Sequence, residues 1–513
     1  MEQPIRVSQY ELIYPFQRDP GHETTVNGLC GAFDVITAEE AEILRRGREE
    51  PSALYALPKD TRDRLEERGH LVVETPEEET ENARMLSRLY WLIPYRGSTD
   101  LVILPTYNCN FRCEYCFERT RLVRGQEWLG RTMSDSMVDA IFRQMEAYRE
   151  LGIRPQSCTL YGGEPLLSGN RKTVERIIER AEGLKMKLVC VTNGYELDRY
   201  LDLLKDHPFL FLQVTVDGVG ETHDARRYLA GGRGTYDRIM DNIGLALENG
   251  IPIHVRINVN RTNLDSAMAL PEAFARRGFT AYDAFRYSFK ATTPCFENHP
   301  ENAITEEELF RVLWAHGICT ETDVSHSRIY NEMAGRIARA MKRESYPAFS
   351  PAFCGAESSM LVVDPEGIIY PCWDLVSLEE HAIGFTDEEA GRFRFSFDFS
   401  KWRTRTVDNM PKCRRCPYLM YCGGGCAAES LLGLGDLREG ACGSAPQAFD
   451  FAAPRISESM FEKDGVLSQT LSLFPLFRGL TAAERQTLLT TTDQKTAMAM
   501  LKARLTESTA FFG

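Results

Sequence analysis

Between residues 101 and 290, short apolar runs alternate with longer stretches whose apolar positions recur every three or four residues. The runs LVILPTY (101–107), SCTLYGG (157–163), KLVCVTN (187–193), LFLQVTV (210–216), IPIHVRINV (251–259) and AYDAFRYSF (281–289) have the β-branched and aromatic content of strands. Between them, MSDSMVDAIFRQMEAYRE (133–150) and TYDRIMDNIGLALENG (235–250) carry the helical period, the second ended by Gly250. Six β-α units of this kind predict an α/β fold, a parallel sheet with helices outside, either curled into a barrel or left as a doubly wound open sheet. In a βα barrel, chemistry gathers at the carboxyl ends of the strands. Cys109, Gly162, Asn193 and Asp217 each follow a strand candidate there.

The flanks read differently. Residues 1–95 predict a small α+β unit, with strands around YELIYPF and GAFDVI. Its helices are opened by Thr37, with Glu40 in capping-box spacing, and by the segment LPKDTRDRLEERG. The run ETPEEETEN (74–82) is so acidic that it reads as a solvated linker. Residues 350–450 are rich in Gly and Cys with little periodicity, the composition of a segment held by metal rather than by a large core. The tail contains LTAAERQTLLTTTDQKTAMAMLKARL (480–505), a helix candidate with Thr481 and Glu484 in capping-box spacing.

A chain of 513 residues is longer than one core usually serves, so several domains are expected. Its net charge of −14 argues against broad binding to nucleic acid or anionic lipid. No apolar stretch reaches the ~18 residues of a membrane span, and the N-terminus lacks the pattern of a secretory signal. These features predict a cytoplasmic protein that binds neither membrane nor nucleic acid. In a reducing compartment, fifteen cysteines in clusters read as metal ligands rather than disulfides.

The first cluster is PTYNCNFRCEYCFE (105–118). Cys109, Cys113 and Cys116, spaced x3 then x2, suit one corner of an iron-sulfur cubane, because one loop can supply several thiolates and three ligands leave one iron open. A structural zinc site is the alternative, and it needs a fourth ligand nearby. The segment CNFRCEYC resembles the signature of the radical S-adenosylmethionine (radical SAM) enzymes. That resemblance implies a partial (β/α)6 TIM-like barrel over residues 96–335 and a [4Fe-4S] cluster whose open iron is chelated by S-adenosylmethionine. It also implies reductive cleavage of that cofactor to a 5'-deoxyadenosyl radical, with electrons from an external donor such as flavodoxin or ferredoxin. By the same resemblance Tyr115 lies near the adenine, and Gly162, Gly163 and Glu164 of YGGEP receive the methionine amine. Asn193 of CVTNG, Thr215 of TVDG and Arg227 of THDARRYLAGG make further cofactor contacts.

The second cluster comprises Cys354, Cys372, Cys413, Cys416, Cys422, Cys426 and Cys442, with Gly367 before Cys372. Seven cysteines exceed one site, which leaves two iron-sulfur clusters or two zinc ribbons. The pattern resembles the SPASM extension of radical SAM enzymes, here residues 336–450. This implies an inner auxiliary cluster on Cys354, Cys372 and Cys426, an outer one on Cys413, Cys416, Cys422 and Cys442, and three [4Fe-4S] clusters in all. The position where some relatives place an eighth ligand is Met360, which leaves Cys295 and Cys319 as the nearest candidates. Cys30, Cys158 and Cys190 read as buried small apolar residues.

SPASM enzymes mostly modify peptides and proteins. Residues 1–95 resemble, by pattern, the winged-helix-like domain that holds the leader of a precursor peptide as an added strand. Residues 451–513 form a helical tail. The resulting expectation is a peptide maturase that installs a thioether or carbon-carbon cross-link. A sulfatase-type maturase forming formylglycine is the second enzyme reading. There the candidate base follows the YPC cysteine directly, whereas here Trp373 intervenes and the acid is Asp374. An iron-sulfur electron carrier or scaffold is the non-enzyme alternative.

Overall fold

The run YELIYPF becomes the edge strand of a small sheet, half-buried along most of its length, while burial makes strands of segments more polar than it. The computed structural model describes residues 4–92, 97–116, 118, 129–293, 299–341, 349–491 and 496. The chain divides into two compact units, Met1–Arg96 with Ile329–Cys354 and Thr404–Gly513, and Gly97–Arg328 with Gly355–Arg403.

The strands of the first unit are β1 (Arg6–Val7), β2 (Glu11–Pro15), β3 (His22–Asn27), β4 (Phe33–Thr37) and β5 (Leu71–Val72). β2-β3-β4 form an antiparallel sheet, and β1 pairs with β5. The sequence HETTVN gives no strand signal, yet it is the central strand β3. Its polar side chains are paired: Thr25 Oγ1 donates to Glu11 Oε1 at 2.5 Å and Asn27 Nδ2 to the Gly69 carbonyl at 2.6 Å. The outer edge of β4 is also occupied. The Val35 amide donates to Leu467 O at 2.7 Å, and the Gln469 amide donates back to Phe33 O at 2.9 Å. Ile36, Ala41, Leu44 and Leu65 join Ile5 and Val7 in one apolar core.

Helix α1 (Ala38–Gly47) opens on the predicted capping box, with Thr37 and Glu40 bonding reciprocally. Helix α2 (Lys59–Arg68) ends where Gly69 takes φ +87°, a left-handed conformation that glycine tolerates best. The expectation of a linker at 74–82 is wrong: helix α3 spans Pro76–Leu92. Thr75 and Glu78 form a second reciprocal cap at 3.2 and 2.8 Å, and Glu77, Glu78 and Glu79 sit at the positive end of the helix dipole. Glu79 is buried because Arg6 pairs with it at 2.5 Å and the Ser8 hydroxyl and Gln9 amide donate to it. In the tail, helices run over Ala445–Asp464 and Ala482–Thr490, the latter with the predicted Thr481/Glu484 cap. The expected continuation of that helix past residue 491 lies outside the described residues, apart from Thr496.

One polar knot ties this unit together. His70 is fully buried, its Nδ1 3.0 Å from both Glu11 carboxylate oxygens and its Nε2 2.9 Å from Asp34 Oδ2. Arg68 Nε donates to the same Asp34 oxygen at 2.5 Å, and the Ser468 hydroxyl to the other at 2.7 Å. Burial alone would push the imidazole down, but the two carboxylates outweigh it and raise His70 to about 9. Burial would likewise raise Asp34, and the bonds from His70 and Arg68 hold it at about 2 instead.

In the second unit six parallel strands follow one another in chain order: β6 (Ser98–Ile103), β7 (Arg154–Leu160), β8 (Lys187–Thr192), β9 (Phe209–Thr215), β10 (Ile253–Val259) and β11 (Phe285–Ala291). Each pairs in parallel with the next. A doubly wound sheet reverses direction at a switch point, whereas this unbroken order winds one way, as a barrel does. The barrel is partial, since β6 takes β12 (Met360–Val363) as its second neighbour. β13 (Ile368–Tyr370), β14 (Gly384–Asp387) and β15 (Arg392–Phe395) then extend the sheet as an antiparallel meander. Part of the Cys-rich segment expected to lack periodicity is therefore sheet. Helices Asp135–Glu150, Arg171–Gly183 and Tyr236–Glu248 bury residues at three- and four-residue spacing, among them Ile141, Met145, Ile177, Ala181, Ile239 and Ile243.

Candidate active site

The loop after β6 carries the first three cysteines, and the end of β7 presses against it. Gly163 N donates to Thr106 O at 3.2 Å and Glu164 N to Asn108 O at 2.8 Å. A Cβ on Gly163 would stand 2.3 Å from Asn108 O and 2.4 Å from Tyr107 O. One on Gly162, whose φ is +113°, would stand 2.8 Å from Thr106 O. The two glycines thus let backbone meet backbone behind the cysteine loop. Gly163→Ala is expected to shift that loop and lower the S-adenosylmethionine cleavage that the resemblance implies about a hundredfold, since misplacement by an ångström costs that much. The check is 5'-deoxyadenosine formation beside iron content; wild-type turnover would contradict it.

Cys109, Cys113 and Cys116 line a cavity of about 290 Å³ together with Phe111, Gly163 and Tyr228. Burial raises the Cys109 thiol well above its usual range, and the neighbouring Cys113 and Glu164 charges add to it. Burial also raises Cys113, against the opposing pull of Arg227. Three thiolates lining one cavity need cationic metal to be stable together. Among the described residues no three His, Cys, Asp or Glu side chains close on one point as a single ion requires. Thiols spread around a cavity fit an iron-sulfur cluster, which takes its ligands at several irons.

The ends of β8 and β9 bond to the cysteine loop. Glu164 is 2% exposed and accepts from Thr192 Oγ1 and the Asn193 amide, both at 2.6 Å, and from the Leu166 amide at 2.9 Å. Burial nevertheless brings its carboxyl up to about 7. Asn193 Nδ2 donates to Asn110 Oδ1 at 2.7 Å and reaches Cys109 Sγ at 3.9 Å, which ties the end of β8 to the cysteine loop. Tyr115 turns its hydroxyl onto Asp217 Oδ2, and Arg227 donates to that hydroxyl at 2.6 Å. Thr215, at the end of β9, stands opposite Arg256 of β10.

Several members of this network carried no motif. The Asn258 amide donates to Asp217 Oδ1 at 2.9 Å, and the Arg226 guanidinium lies 5.0 Å over the Tyr115 ring. His223 accepts the Asp217 amide at 3.2 Å through Nδ1; burial and the charges of Arg227 and Arg226 keep it neutral, as that bond requires. The signal for Asn258 was present in β10, where IHVRINV alternates strictly between buried and half-buried positions.

The four cysteines expected for the outer auxiliary cluster all belong to the first unit, within range of one another's charges. Burial lifts Cys413 to about 12, and the charges of Cys422, Cys416 and Cys442 add to it. Cys422 is raised to about 11 by burial and then by Cys416 and Cys442. The loop is built on Gly423, Gly424 and Gly425, all with φ between +71° and +85°; a Cβ on Gly425 would stand 1.7 Å from Ala441 O. Arg405, buried without a motif to announce it, donates to the carbonyls of Gly425, Leu437 and Glu439 and to Ser430 Oγ, wiring the loop in place. Cys354 and Cys426 also belong to this unit, the former exposed. Cys372 belongs to the second, where its thiol donates to Asp374 Oδ2 at 3.7 Å. Met360 is buried in β12 and Cys319 is buried, while Cys295 lies outside the described residues. Cys30, Cys158 and Cys190 are buried, as expected.

The sequence profile of the Radical SAM superfamily matches residues 103–268. The cysteine-type anaerobic sulfatase-maturating enzyme of Clostridium novyi (strain NT) is 23% identical over 355 residues, covering 64% of this chain and 88% of the relative. The GTP 3',8-cyclase of Klebsiella pneumoniae (strain ATCC 700721 / MGH 78578) is 27% identical over 276 residues, 52% of this chain and 76% of the relative. Among solved structures, native anSMEcpe with bound AdoMet and Cp18Cys peptide superimposes with a TM-score of 0.53 at 18% identity, covering 71% of this chain and 99% of that one, a likeness of fold. The profile match begins at the end of β6 and takes in the cysteine loop and the ends of β7, β8 and β9: residues 103–268 are a domain of the radical SAM superfamily, and the chain that carries it is an enzyme.

Proposed function

We propose that the protein is a peptide-modifying radical SAM enzyme with three [4Fe-4S] clusters. It would install an oxidative cross-link, thioether or carbon-carbon, in a ribosomally made precursor peptide. The observation that carries the reading is the second thiol set: Cys413, Cys416, Cys422 and Cys442 all belong to the first unit and lie within range of one another's charges. A closed set of four thiolates suits a cluster that transfers electrons rather than one that binds a cofactor. A peptide substrate is supported by the relatives, of which one is named for sulfatase maturation and another was solved with a peptide bound.

When bound, the barrel cluster and S-adenosylmethionine supply a 5'-deoxyadenosyl radical. Cys109, Cys113 and Cys116 hold that cluster, with Asn193 orienting Cys109. Glu164, Thr215, Arg227 and Tyr115 receive the cofactor, and Gly162 and Gly163 set the loop depth. Asp374, beside Cys372, takes the proton that leaves the substrate after its hydrogen atom is removed. Auxiliary clusters held by the second set of cysteines would supply an acceptor for the remaining electron, and an external donor such as flavodoxin or ferredoxin would provide the reducing equivalents. No helix among the described residues is long and apolar enough to cross a membrane.

Residues 1–95 take the role of leader recognition. Since β4 is already paired with Leu467 and Gln469, a leader strand enters by releasing that segment or along β2, whose edge Pro15 shortens. The test is incubation of reduced enzyme with the product of the neighbouring short reading frame. Loss of two hydrogens from the peptide together with 5'-deoxyadenosine is expected, and unchanged peptide contradicts the reading. The relatives named for sulfatase maturation favour a second reading, in which a co-expressed sulfatase acquires formylglycine.

A further inference from the structure

The cysteine loop follows β6, and β6 has two neighbours in the sheet, β7 on one side and β12 on the other. The glycines Gly162 and Gly163 meet the loop from the β7 side. From the β12 side comes a contact that no motif announces: the Tyr107 hydroxyl donates to Asp364 Oδ2. Tyr107 stands two residues before Cys109 and lines the same cavity. Asp364 directly follows β12, at the start of the turn into β13. Both side chains are buried, at 2% and 1% exposure, so water does not stand in for either partner.

Asp364 divides its oxygens between two tasks. Oδ1 accepts the amides of Glu366 at 2.9 Å and Ile368 at 2.8 Å, which folds the turn. The Asp364 amide donates to Ile368 O and its carbonyl accepts the Gly367 amide, both at 3.0 Å, closing the same turn. One side-chain oxygen suffices for a turn of this kind, and asparagine supplies it as well. The second oxygen of a buried carboxylate needs a donor of its own, and Tyr107 provides one. The sheet keeps the two in register, since Val363 pairs with Ile103 and the Leu104 amide donates to Val363 O at 2.9 Å.

Tyr107 is therefore gripped at both ends. Its own carbonyl packs against Gly163, and the carbonyls on either side of it, of Thr106 and Asn108, accept the amides of Gly163 and Glu164. Its hydroxyl reaches the opposite way, to Asp364. A loop held from one neighbouring strand is free to tilt about that strand; held from both, its depth is fixed.

We infer that Asp364 is a positioning residue: acting through Tyr107, it fixes the cysteine loop from the β12 side and ties it to the hairpin that leads to Cys372. The inference draws on the radical SAM domain and is independent of the peptide reading.

Hydrogen exchange and electron paramagnetic resonance on the anaerobic holoenzyme test this in three variants. Tyr107→Phe removes the bond and leaves the turn whole. Exchange at the Gly163 and Glu164 amides is expected to quicken about tenfold, while the Glu366 and Ile368 amides stay protected. In the reduced enzyme, the change in cluster signal on adding S-adenosylmethionine is expected to need about tenfold more cofactor for half-saturation. Asp364→Ala shows both effects and also exposes the turn amides. Asp364→Asn keeps an acceptor for the turn and offers its amide to the Tyr107 oxygen, so both readouts return toward wild type. Unchanged exchange at Gly163 and Glu164 in Tyr107→Phe, or unchanged half-saturation, overturns the inference. So does Asp364→Asn matching Asp364→Ala in the cofactor readout with its turn amides still protected, which would assign the effect to the carboxylate charge and not to position.

Discussion

A Cys113→Ala variant will carry about four fewer irons per chain than wild type and form no 5'-deoxyadenosine above background. Cys113 is one of only three thiols lining the cavity, so its loss leaves two ligands where the cluster needs three from the protein. The loss is local, because the loop is held by backbone bonds that the substitution spares. Arg112 N still donates to Tyr228 O at 2.9 Å, and Glu164 N to Asn108 O at 2.8 Å. Anaerobic iron analysis and product assay check this. Cys158→Ala, a change at a cysteine buried within β7 and remote in role, serves as the control and should keep its iron. Retention of full iron and cofactor cleavage in Cys113→Ala would remove the basis of the site.

His70→Leu will loosen the N-terminal sheet by about 3–5 kcal/mol, the usual cost of breaking a buried ion pair and leaving its partners behind. Glu11 and Asp34 are both fully or almost fully buried, and each loses a hydrogen bond of 2.9 or 3.0 Å. Hydrogen exchange at the Val35 amide, which bonds across to Leu467, reads the change directly. A loss of that size speeds exchange by about a hundredfold or more where the sheet opens locally.

The same knot sets a pH dependence. The folded value for His70, about 9, exceeds its ordinary 6.5. Its contribution is therefore complete below pH 6.5, declines from 6.5 to about 9, and is gone above. Asp34 describes the acid side of the same pairing: its contribution is complete above 3.8 and disappears as pH falls through about 2. Corrected for intrinsic rates, protection of Val35 should hold between about pH 4 and 6.5 and weaken on the alkaline side. A flat profile from pH 6 to 10, or unchanged exchange in His70→Leu, would count against the pairing.

How much of this was legible beforehand depended on the distance over which the cause acts. The six barrel strands announced themselves because a residue's burial in a strand follows a period of two, as in β10, and needs no knowledge of the partner strand. The helix caps at Thr37 and Thr481 were equally local, three residues from cause to effect. The misread segment at 74–82 held a cap of the same kind, Thr75 and Glu78 around Pro76, hidden behind its charge. Its acids suggested solvent because their answering groups, Arg6 and Ser8, are some seventy residues away.

The chain alone determined the chemistry of this protein: which thiols, at which spacings, at the ends of which strands. A loop of eight residues can present three sulfurs without help from the rest of the molecule. Only the folded structure decided what surrounds them, because Asn258, Arg226 and Arg405 act through register and depth. Those quantities are set when strands far apart in sequence lie side by side and water is excluded.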